Sequence, residues 1–314
     1  MTAPYLSVVI PVYNEQESLE KLYERLIAAL DSIGKSFEVI LVNDGSKDRS
    51  SEILQRLHQR RPQQIRVIEF NRNYGQHMAI MAGLEHTHGD IIVTMDADLQ
   101  NYPEDIPRLL AKVDAGHDVV GGYRENRQDK AWRLFFSRLH NWLRMKFTKI
   151  QMRDEGCMLR AYTRDVVKHM VACEESSTFI PALAVSFASN PTDVGVRHAA
   201  REQGQSNYNF YKLLRYNFDF FANFSRAPLE FFTITGFVVA FLSVLLFIYL
   251  IIERLLHGPD AQGLFTLFAI MYFLIGVMLM GLGIVGEYIG RIHEEVRKRP
   301  RFIIRRILEQ NSNS

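Results

Sequence analysis

The chain has 314 residues, of which 47% are hydrophobic, and a formal net charge of +2 at pH 7. A chain of this length can bury a sizeable core in one large or two modest domains, and so small a net charge argues against a nucleic-acid binder that relies on bulk charge. The two cysteines, Cys157 and Cys173, provide no disulfide framework and favour a reducing compartment.

Strands and helices alternate at short intervals through the first half of the chain. Apolar, β-branched runs predict strands, and an apolar period of 3.6 residues predicts helices. In chain order the predicted elements are strand Leu6–Ile10, helix Glu15–Ile33, strand Phe37–Val42, helix Asp48–Arg60, strand Ile65–Phe70, helix Gly75–His86 and strand Asp90–Met95. This order predicts an α/β fold with a mostly parallel sheet, covered on both faces and joined by right-handed crossovers.

Polar signatures follow three of these strands: PVYNE at 11–15, NDGSKD at 43–48 and DADLQ at 96–100. Ligands of open α/β sheets bind beyond the carboxyl ends of the strands, so the three signatures are expected to share one site. Asp96 and Asp98 supply hard oxygen ligands suited to Mg²⁺ or Mn²⁺. Taken singly, a D-x-D pair and the Asp44-Gly45-Ser46 stretch are both also typical of surface turns.

The sequence contains neither a P-loop nor a G-x-G-x-x-G fingerprint. We therefore expect a metal and arginines to meet any phosphate charge. A basic, aromatic-rich helix predicted over 129–149 suits a surface that faces lipid phosphates, and it equally suits an ordinary amphipathic helix with a solvated basic face. The aromatic segment 206–228 is predicted to lie in the plane of a membrane interface.

Charged residues almost vanish from two long stretches near the C-terminus. Leu229–Ile252 contains one charge, Glu230, and Gly263–Gly286 contains none. Each exceeds the roughly 20 residues that span a bilayer, so both predict transmembrane helices, with a buried soluble hairpin as the alternative. Their glycines permit close helix packing, and we expect a homo-oligomer.

Basic residues concentrate after the second apolar stretch. The region from Glu287 to Arg306 contains seven lysines and arginines, at positions 291, 297, 298, 299, 301, 305 and 306. The positive-inside rule predicts that both ends of the chain are cytoplasmic, and contact with lipid headgroups is favoured over a nucleic-acid patch. The N-terminus lacks a basic n-region, so no signal peptide is predicted.

Six motifs make the chain similar to a known family. They are SVVIPVYNE, VNDGSKDRS, NRNYGQHMAIMAG, DADLQNYPEDIP, RDEGCMLRAY and REQGQSNY. With the two apolar stretches, they resemble family 2 glycosyltransferases of the polyprenyl-phosphate type over essentially the whole chain. The nearest subgroup transfers 4-deoxy-4-formamido-L-arabinose in lipid A modification, and bactoprenol glucosyltransferases and dolichyl-phosphate mannose synthases are more distant.

The resemblance implies an organisation and an activity. It implies a GT-A, Rossmann-like cytoplasmic domain over 1–205, an interfacial segment over 206–228, a transmembrane hairpin over 229–286 and a basic cytoplasmic tail over 287–314. The implied reaction is inverting transfer of a sugar from a UDP-sugar to undecaprenyl phosphate at the cytoplasmic face of a bacterial inner membrane. UDP-glucose or another UDP-hexose is an alternative donor, and a catalytically silent membrane scaffold is the alternative of another class.

The resemblance also implies roles for individual residues. Those that would hold the nucleotide sugar are Pro11, Tyr13, Glu15, Asp44, Asp96 and Gln100. Asp96 and Asp98 would bind Mg²⁺ or Mn²⁺. Those that would contact the acceptor phosphate are Arg124, Arg133, Ser137 and Arg201. Asp154 matches the position of a catalytic base or positioning carboxylate, with Asp98 and Arg124 as its catalytic partners. Relatives commonly read G-x-S-K-Y where this chain has Asn207 in place of the lysine.

These roles agree with what the reaction needs. A divalent cation offsets the charge that develops on departing UDP. The acceptor phosphate is already largely dianionic at neutral pH because its second pKa is about 6. A strong general base is therefore unnecessary, and Asp154 is expected to orient groups rather than to remove a proton. Arginines are expected along the acceptor path because their planar fork matches phosphate oxygens.

Overall fold

A computed structural model describes residues 3–125, 153–154, 156–173, 179–199, 227–257, 264–297 and 299–310. Within them one sheet contains β1 (Leu6–Val12), β2 (Phe37–Asn43), β3 (Ile65–Phe70), β4 (Ile91–Thr94), β5 (Val119–Arg124), β6 (Arg160–Thr163), β7 (Pro191–Val196) and β8 (Ile304–Leu308). The helices are α1 (Leu19–Ile33), α2 (Ser50–Arg60), α3 (Gln76–Glu85), α4 (Ile106–Asp114), α5 (Arg164–Ala172), α6 (Ile180–Phe187), α7 (Ala227–His257) and α8 (Leu264–Val296).

Helices cover both faces of the sheet. Every residue of β1 and β2 is buried, as expected for parallel strands with helices on each side. One core cluster joins the sheet to α1, α2 and α4 through residues such as Leu26, Leu54 and Leu109. The other joins it to α3, α5 and α6 through residues such as Ile80 and Val167.

The sheet is mixed: β1 to β5 and β7 run in one direction, in agreement with the predicted parallel part, and β6 and β8 run in the other. Its strand order is β7-β5-β6-β4-β1-β2-β3-β8. Parallel pairs join β1 to β2 and β4, β2 to β3, and β5 to β7, whereas β6 and β8 run antiparallel to their neighbours. β6 is antiparallel because it starts at the edge of the sheet where β5 ends, as the hydrogen bond from Arg124 N to Asp154 shows.

The basic region predicted as a separate tail is divided between two elements. α8 continues to Val296, and Ile304–Leu308 form β8 at the edge of the sheet beside β3. Arg306 forms an ion pair with buried Glu69, with 2.6 Å from Nε to Oε2. This arginine therefore binds a carboxylate of the sheet, and lipid contact by the basic region stays a prediction.

The last two described helices form a C-terminal hairpin, a compact unit distinct from the sheet domain. A side chain at Gly281 of α8 would meet the ring of Phe232 on α7, with 1.6 Å from Cβ to Cζ, so a glycine lies where the helices pack closely. Among the described residues, Ile270–Gly290 is apolar and long enough to cross a membrane, with a mean hydropathy of 2.0. The apolar stretch found in α7, Phe232–Leu246, is shorter.

Candidate active site

An open cleft of about 320 Å³ lies at the carboxyl ends of β1, β2 and β4. The central position of β1, between β2 and β4, brings the three predicted signatures to this edge of the sheet. The lining residues are Pro11, Val12, Tyr13, Glu15, Asp44, Asn73, Gly75, Gln76, Asp96, Ala97 and Asp98.

Side chains lock the first two signatures together. Asn14 adopts a left-handed backbone conformation with φ 55°, which short polar residues tolerate. Its Oδ1 accepts a hydrogen bond from Lys47 N at 2.8 Å, and its N–H donates to Ser46 Oγ at 3.1 Å. The N–H of Glu15 donates to Ser50 Oγ at 2.9 Å. The loops after β1 and β2 thus form one wall of the cleft.

Asp44 organises a third loop, which follows β3. Its side chain is 2% exposed. One carboxylate oxygen accepts a hydrogen bond from Tyr74 N at 2.6 Å, and the other accepts from Gly75 N and Asn73 Nδ2, both at 2.9 Å. Burial raises the pKa of Asp44, and the two backbone hydrogen bonds oppose that rise. A carboxylate offers about four acceptor positions, so most of this one is committed to the loop 71–75.

The two aspartates of the third signature concentrate negative charge. Asp96 accepts hydrogen bonds from Gln76 Nε2 at 2.5 Å and Asn101 Nδ2 at 3.4 Å. Burial, together with the charges of Asp98 and Glu15, raises the pKa of Asp96 to about 7 although both amides oppose this. A dication would relieve the repulsion, because it stabilises carboxylates in their ionised form.

The carboxylates of Asp96 and Asp98 suit a metal ion whose remaining coordination positions are filled by the substrate and water. The turn is tight, since Leu99 has a positive φ of 63° and Asp98 Oδ1 accepts the N–H of Gln100 at 3.1 Å. Within the part of the chain that the structure describes, no cluster of three or more His, Cys, Asp or Glu side chains has the arrangement of a metal site. Mg²⁺ is typically held by one or two carboxylates with phosphate oxygens and waters, which matches this donor set.

Arg124 and Asp154 form an ion pair. Arg124 is the last residue of β5, and Asp154 lies in the segment that precedes β6. Arg124 donates from Nε at 2.6 Å and from Nη2 at 2.9 Å to the two oxygens of Asp154, which is 6% exposed. Gly156 N–H donates to the same carboxylate at 3.1 Å. Burial opposes ionisation, but the hydrogen bonds and the charge of Arg124 prevail and lower the pKa of Asp154. Asp154 is consequently ionised at neutral pH.

The segment after β7 adds a histidine that the sequence analysis missed. His198 forms a β-bridge with Asn101, and the N–H of Ala199 donates to the carbonyl of Gln100 at 3.0 Å. Among the described residues, Nδ1 of His198 is buried without a hydrogen-bond partner. Burial first, and then the charge of Arg124, lowers its pKa, while Asp98 and Asp154 oppose this.

The structure brings most of the predicted residues together. Pro11, Tyr13, Glu15, Asp44, Asp96 and Asp98 line the cleft, and Gln100 adjoins it through its backbone. Asn73, Gly75 and Gln76 also line it and were not predicted, although the polar run after β3 was a signal of the same kind. Arg133, Ser137, Arg201 and the segments 129–149 and 206–226 lie outside the described residues.

Comparisons with known proteins agree with this architecture. Residues 7–171 match the family described as Glycosyl transferase family 2, and residues 227–292 match the GtrB C-terminal hairpin. A protein of Edwardsiella ictaluri is 50% identical over 99% of this chain and 96% of its own length. One of Shewanella sediminis is 47% identical over 97% of this chain and 92% of its own length. Both are named undecaprenyl-phosphate 4-deoxy-4-formamido-L-arabinose transferase.

Solved structures show more distant similarity. Glucosyl-3-phosphoglycerate synthase from Mycobacterium tuberculosis, crystallised with Mn²⁺, UDP and glucosyl-3-phosphoglycerate, has a TM-score of 0.49 at 18% identity. That match covers 70% of this chain and 78% of the synthase. The sequence matches confirm the family expected from the motifs: the chain belongs to glycosyl transferase family 2, in the group with a GtrB-type C-terminal hairpin.

Proposed function

We propose that this enzyme transfers 4-deoxy-4-formamido-L-arabinose from its UDP-activated form to undecaprenyl phosphate. The observation that carries the proposal is identity of 47% to 50% with two transferases of that name over nearly the whole chain, hairpin included. The cleft supports it, because a carboxylate pair at the carboxyl edge of the sheet suits a nucleotide diphosphate bound with a metal.

The donor binds in the cleft. Tyr13, which is 42% exposed, and Pro11 offer a flat apolar wall for the base. Asp44 holds the loop 71–75 in place at the cleft and keeps little acceptor capacity for the nucleoside. Glu15 and Gln100 border the nucleotide sugar. Asp96 and Asp98 hold Mg²⁺ or Mn²⁺, which when bound neutralises charge on the departing diphosphate.

The acceptor phosphate approaches past Arg124. This anion must meet a second anion, the donor diphosphate, so cationic side chains are needed along its path. Arg133, Ser137 and Arg201 join Arg124 in that role on the basis of their motifs. Asp154 has a lowered pKa and is a weak base. Its role is to fix the guanidinium of Arg124 in one orientation through two hydrogen bonds.

The hairpin anchors the enzyme at the cytoplasmic face of the inner membrane. Its helices α7 and α8 are the two spans, and both termini of the chain are in the cytoplasm. A polyprenyl chain leaves the bilayer only at a cost of about 0.8 kcal/mol per CH₂, so the enzyme must work at the surface. Charge asymmetry supports this orientation, since residues 253–263, between the two apolar stretches, contain one arginine and the region after α8 is rich in basic residues.

The test is a donor screen with the full-length protein in vesicles that contain undecaprenyl phosphate. UDP-4-deoxy-4-formamido-L-arabinose and UDP-glucose are supplied separately, and the lipid product is identified by mass spectrometry. We expect product from the formamido-arabinose donor that disappears with excess chelator and returns with Mn²⁺. Faster transfer of glucose would establish the alternative donor, and no transfer from either donor would favour the silent scaffold.

A further inference from the structure

The C-terminal segment 302–308 lies against the loop 71–75 of the donor cleft. The ring of Phe302 stacks on that of Phe70, with 5.1 Å between centroids and 14° between planes. Phe70 in turn meets the edge of Tyr74 at 5.5 Å and 86°. The N–H of Asn71 donates to the carbonyl of Ile303 at 3.2 Å. Two residues of the loop are therefore held by the C-terminal segment: Asn71 directly, through its backbone hydrogen bond, and Tyr74 indirectly, through the ring of Phe70.

The same loop holds the polar groups of the cleft. Tyr74 and Gly75 give their N–H groups to Asp44, and Gln76, the next residue, donates to Asp96. Gly75 has a φ of 96°, which glycine adopts without the steric cost that a side chain would bring. Displacement of Tyr74 would disturb the hydrogen bonds to Asp44 and the position of Gln76 together.

The segment is itself firmly fixed to the sheet. β8 pairs with β3, and Arg306 binds both oxygens of Glu69, at 2.6 Å to Oε2 and 3.0 Å to Oε1. Ser51 Oγ donates to Glu69 Oε1 at 2.6 Å and completes the network. Leaving the buried carboxylate of Glu69 without its cation would be costly. The network therefore fixes β8 in one register against β3.

We infer that the C-terminal segment 302–308 braces the donor-binding loop 71–75, with Phe302 as a positioning residue for UDP. The segment begins six positions after Val296, the last residue of α8. The segment that follows the hairpin in the sequence thus supports the donor site. The loop 71–75 is held in its UDP-binding conformation only when β8 is paired with β3. The kinetic part of this inference rests on the proposed function, whereas the binding part requires only UDP.

The experiment compares three full-length variants with the parent. Phe302→Ala removes the stacked ring, Phe302→Tyr keeps it, and Ile303→Ala truncates a neighbouring side chain that is 51% exposed. Calorimetry measures the Kd of UDP with Mn²⁺, and steady-state kinetics measure the KM of each substrate. Loss of one aromatic pair predicts a rise of about three- to tenfold in the Kd and the donor KM of Phe302→Ala, with acceptor KM within about twofold.

Two results would support the brace together: weaker UDP binding by Phe302→Ala, and parent-like binding by Phe302→Tyr and Ile303→Ala. A lower melting temperature of Phe302→Ala with unchanged UDP affinity would overturn it, as would equal loss of affinity in Ile303→Ala. If Phe302→Ala does not fold, Phe302→Leu fills most of the volume without a ring, and the same readouts apply. UDP binding without sugar transfer by the parent would refute the proposed function and leave the brace standing.

Discussion

Asp96 holds a proton more tightly than an ordinary aspartate when no metal is bound. Its pKa is raised from 3.8 to about 7 by burial and by the charges of Asp98 and Glu15. A carboxyl whose pKa is raised in the folded state favours folding at low pH. Its contribution is fully present below the unfolded value and is lost as pH rises through about 7.

This loss of stability with rising pH predicts that the parent and Asp96→Asn differ in how their melting temperatures depend on pH. In excess chelator, the melting temperature of the parent should fall more steeply from about pH 5 to about pH 8 than that of the variant, which cannot ionise at this position. Saturating Mn²⁺ should remove the difference in slope by stabilising the ionised carboxylate of the parent. Differential scanning fluorimetry across this range measures both slopes. Identical slopes in chelator would contradict the raised pKa.

The packing of one loop against another depends on a glycine. Gly45, in the loop after β2, has a φ of +67°, and a Cβ there would lie 2.4 Å from the carbonyl carbon of Arg72. Gly34, which ends α1, has nearly the same φ of +68°, and nothing lies within 4 Å of its Cβ position. The two glycines therefore share a left-handed backbone conformation, in which a side chain would be strained, and differ in the space around them.

We predict that Gly45→Ala is much more damaging than Gly34→Ala. A left-handed alanine costs roughly 1–2 kcal/mol at either site. At Gly45 the backbone of Arg72 must also move, and this would shift the loop that holds Asp44. We expect a larger loss of melting temperature for Gly45→Ala, and a rise in the Kd of UDP that Gly34→Ala does not show. Equal effects of the two substitutions on UDP binding would contradict the close packing of the loops.

The sequence pattern predicted correctly those strands that consist of a continuous run of buried apolar residues. The strand at Ile65–Phe70 agrees at both ends, and the other predicted strands agree within two residues. β7 escaped notice because PTDVGV contains a proline, a glycine and an aspartate, which are rare in strands. β8 was interpreted as a basic tail because Arg305 and Arg306 interrupt its apolar pattern, and the partner that explains Arg306 is distant Glu69.

The candidate site was predictable where its residues follow strands of strong pattern. The pairing of Arg124 with Asp154 was not, because thirty positions separate the two residues and only the tertiary structure brings them together. The same holds for Gln76 and Asp96, which belong to different elements. Sequence signatures identify groups suited to a chemistry, whereas their mutual hydrogen bonds depend on the sheet order.

At the scale of the whole molecule, the sheet constrains how the chain can cross a membrane. β1 to β7 precede the hairpin and β8 follows it, yet all belong to one sheet. Strands of one sheet lie on the same side of a bilayer, so any membrane crossings by the chain between β7 and β8 must be even in number. α7 has 31 residues and α8 has 33. At about 1.5 Å per residue, each is longer than the roughly 30 Å hydrocarbon core.

Both helices also expose large apolar side chains, as helices that face lipid do. Phe237 on α7 is 74% exposed and Leu282 on α8 is 68% exposed. Patches of this kind are unfavourable in water and indicate a membrane or a partner surface. If α8 crosses the membrane, an even number of crossings requires that α7 crosses as well. This argument supports two spans although the apolar stretch found in α7 is the shorter one.

The prediction is that the connector and the C-terminus lie on opposite sides of the membrane. Single cysteines at Pro259, between α7 and α8, and at Asn311, after β8, report the two positions in a Cys173→Ser background. Cys157 needs no replacement, because its thiol is buried and burial raises its pKa to about 11, which makes it unreactive. A membrane-impermeant maleimide should label Pro259→Cys in intact spheroplasts and Asn311→Cys only after lysis. Labelling of Asn311→Cys before lysis would reverse the proposed orientation, and labelling of both only after lysis would mean that the hairpin does not span.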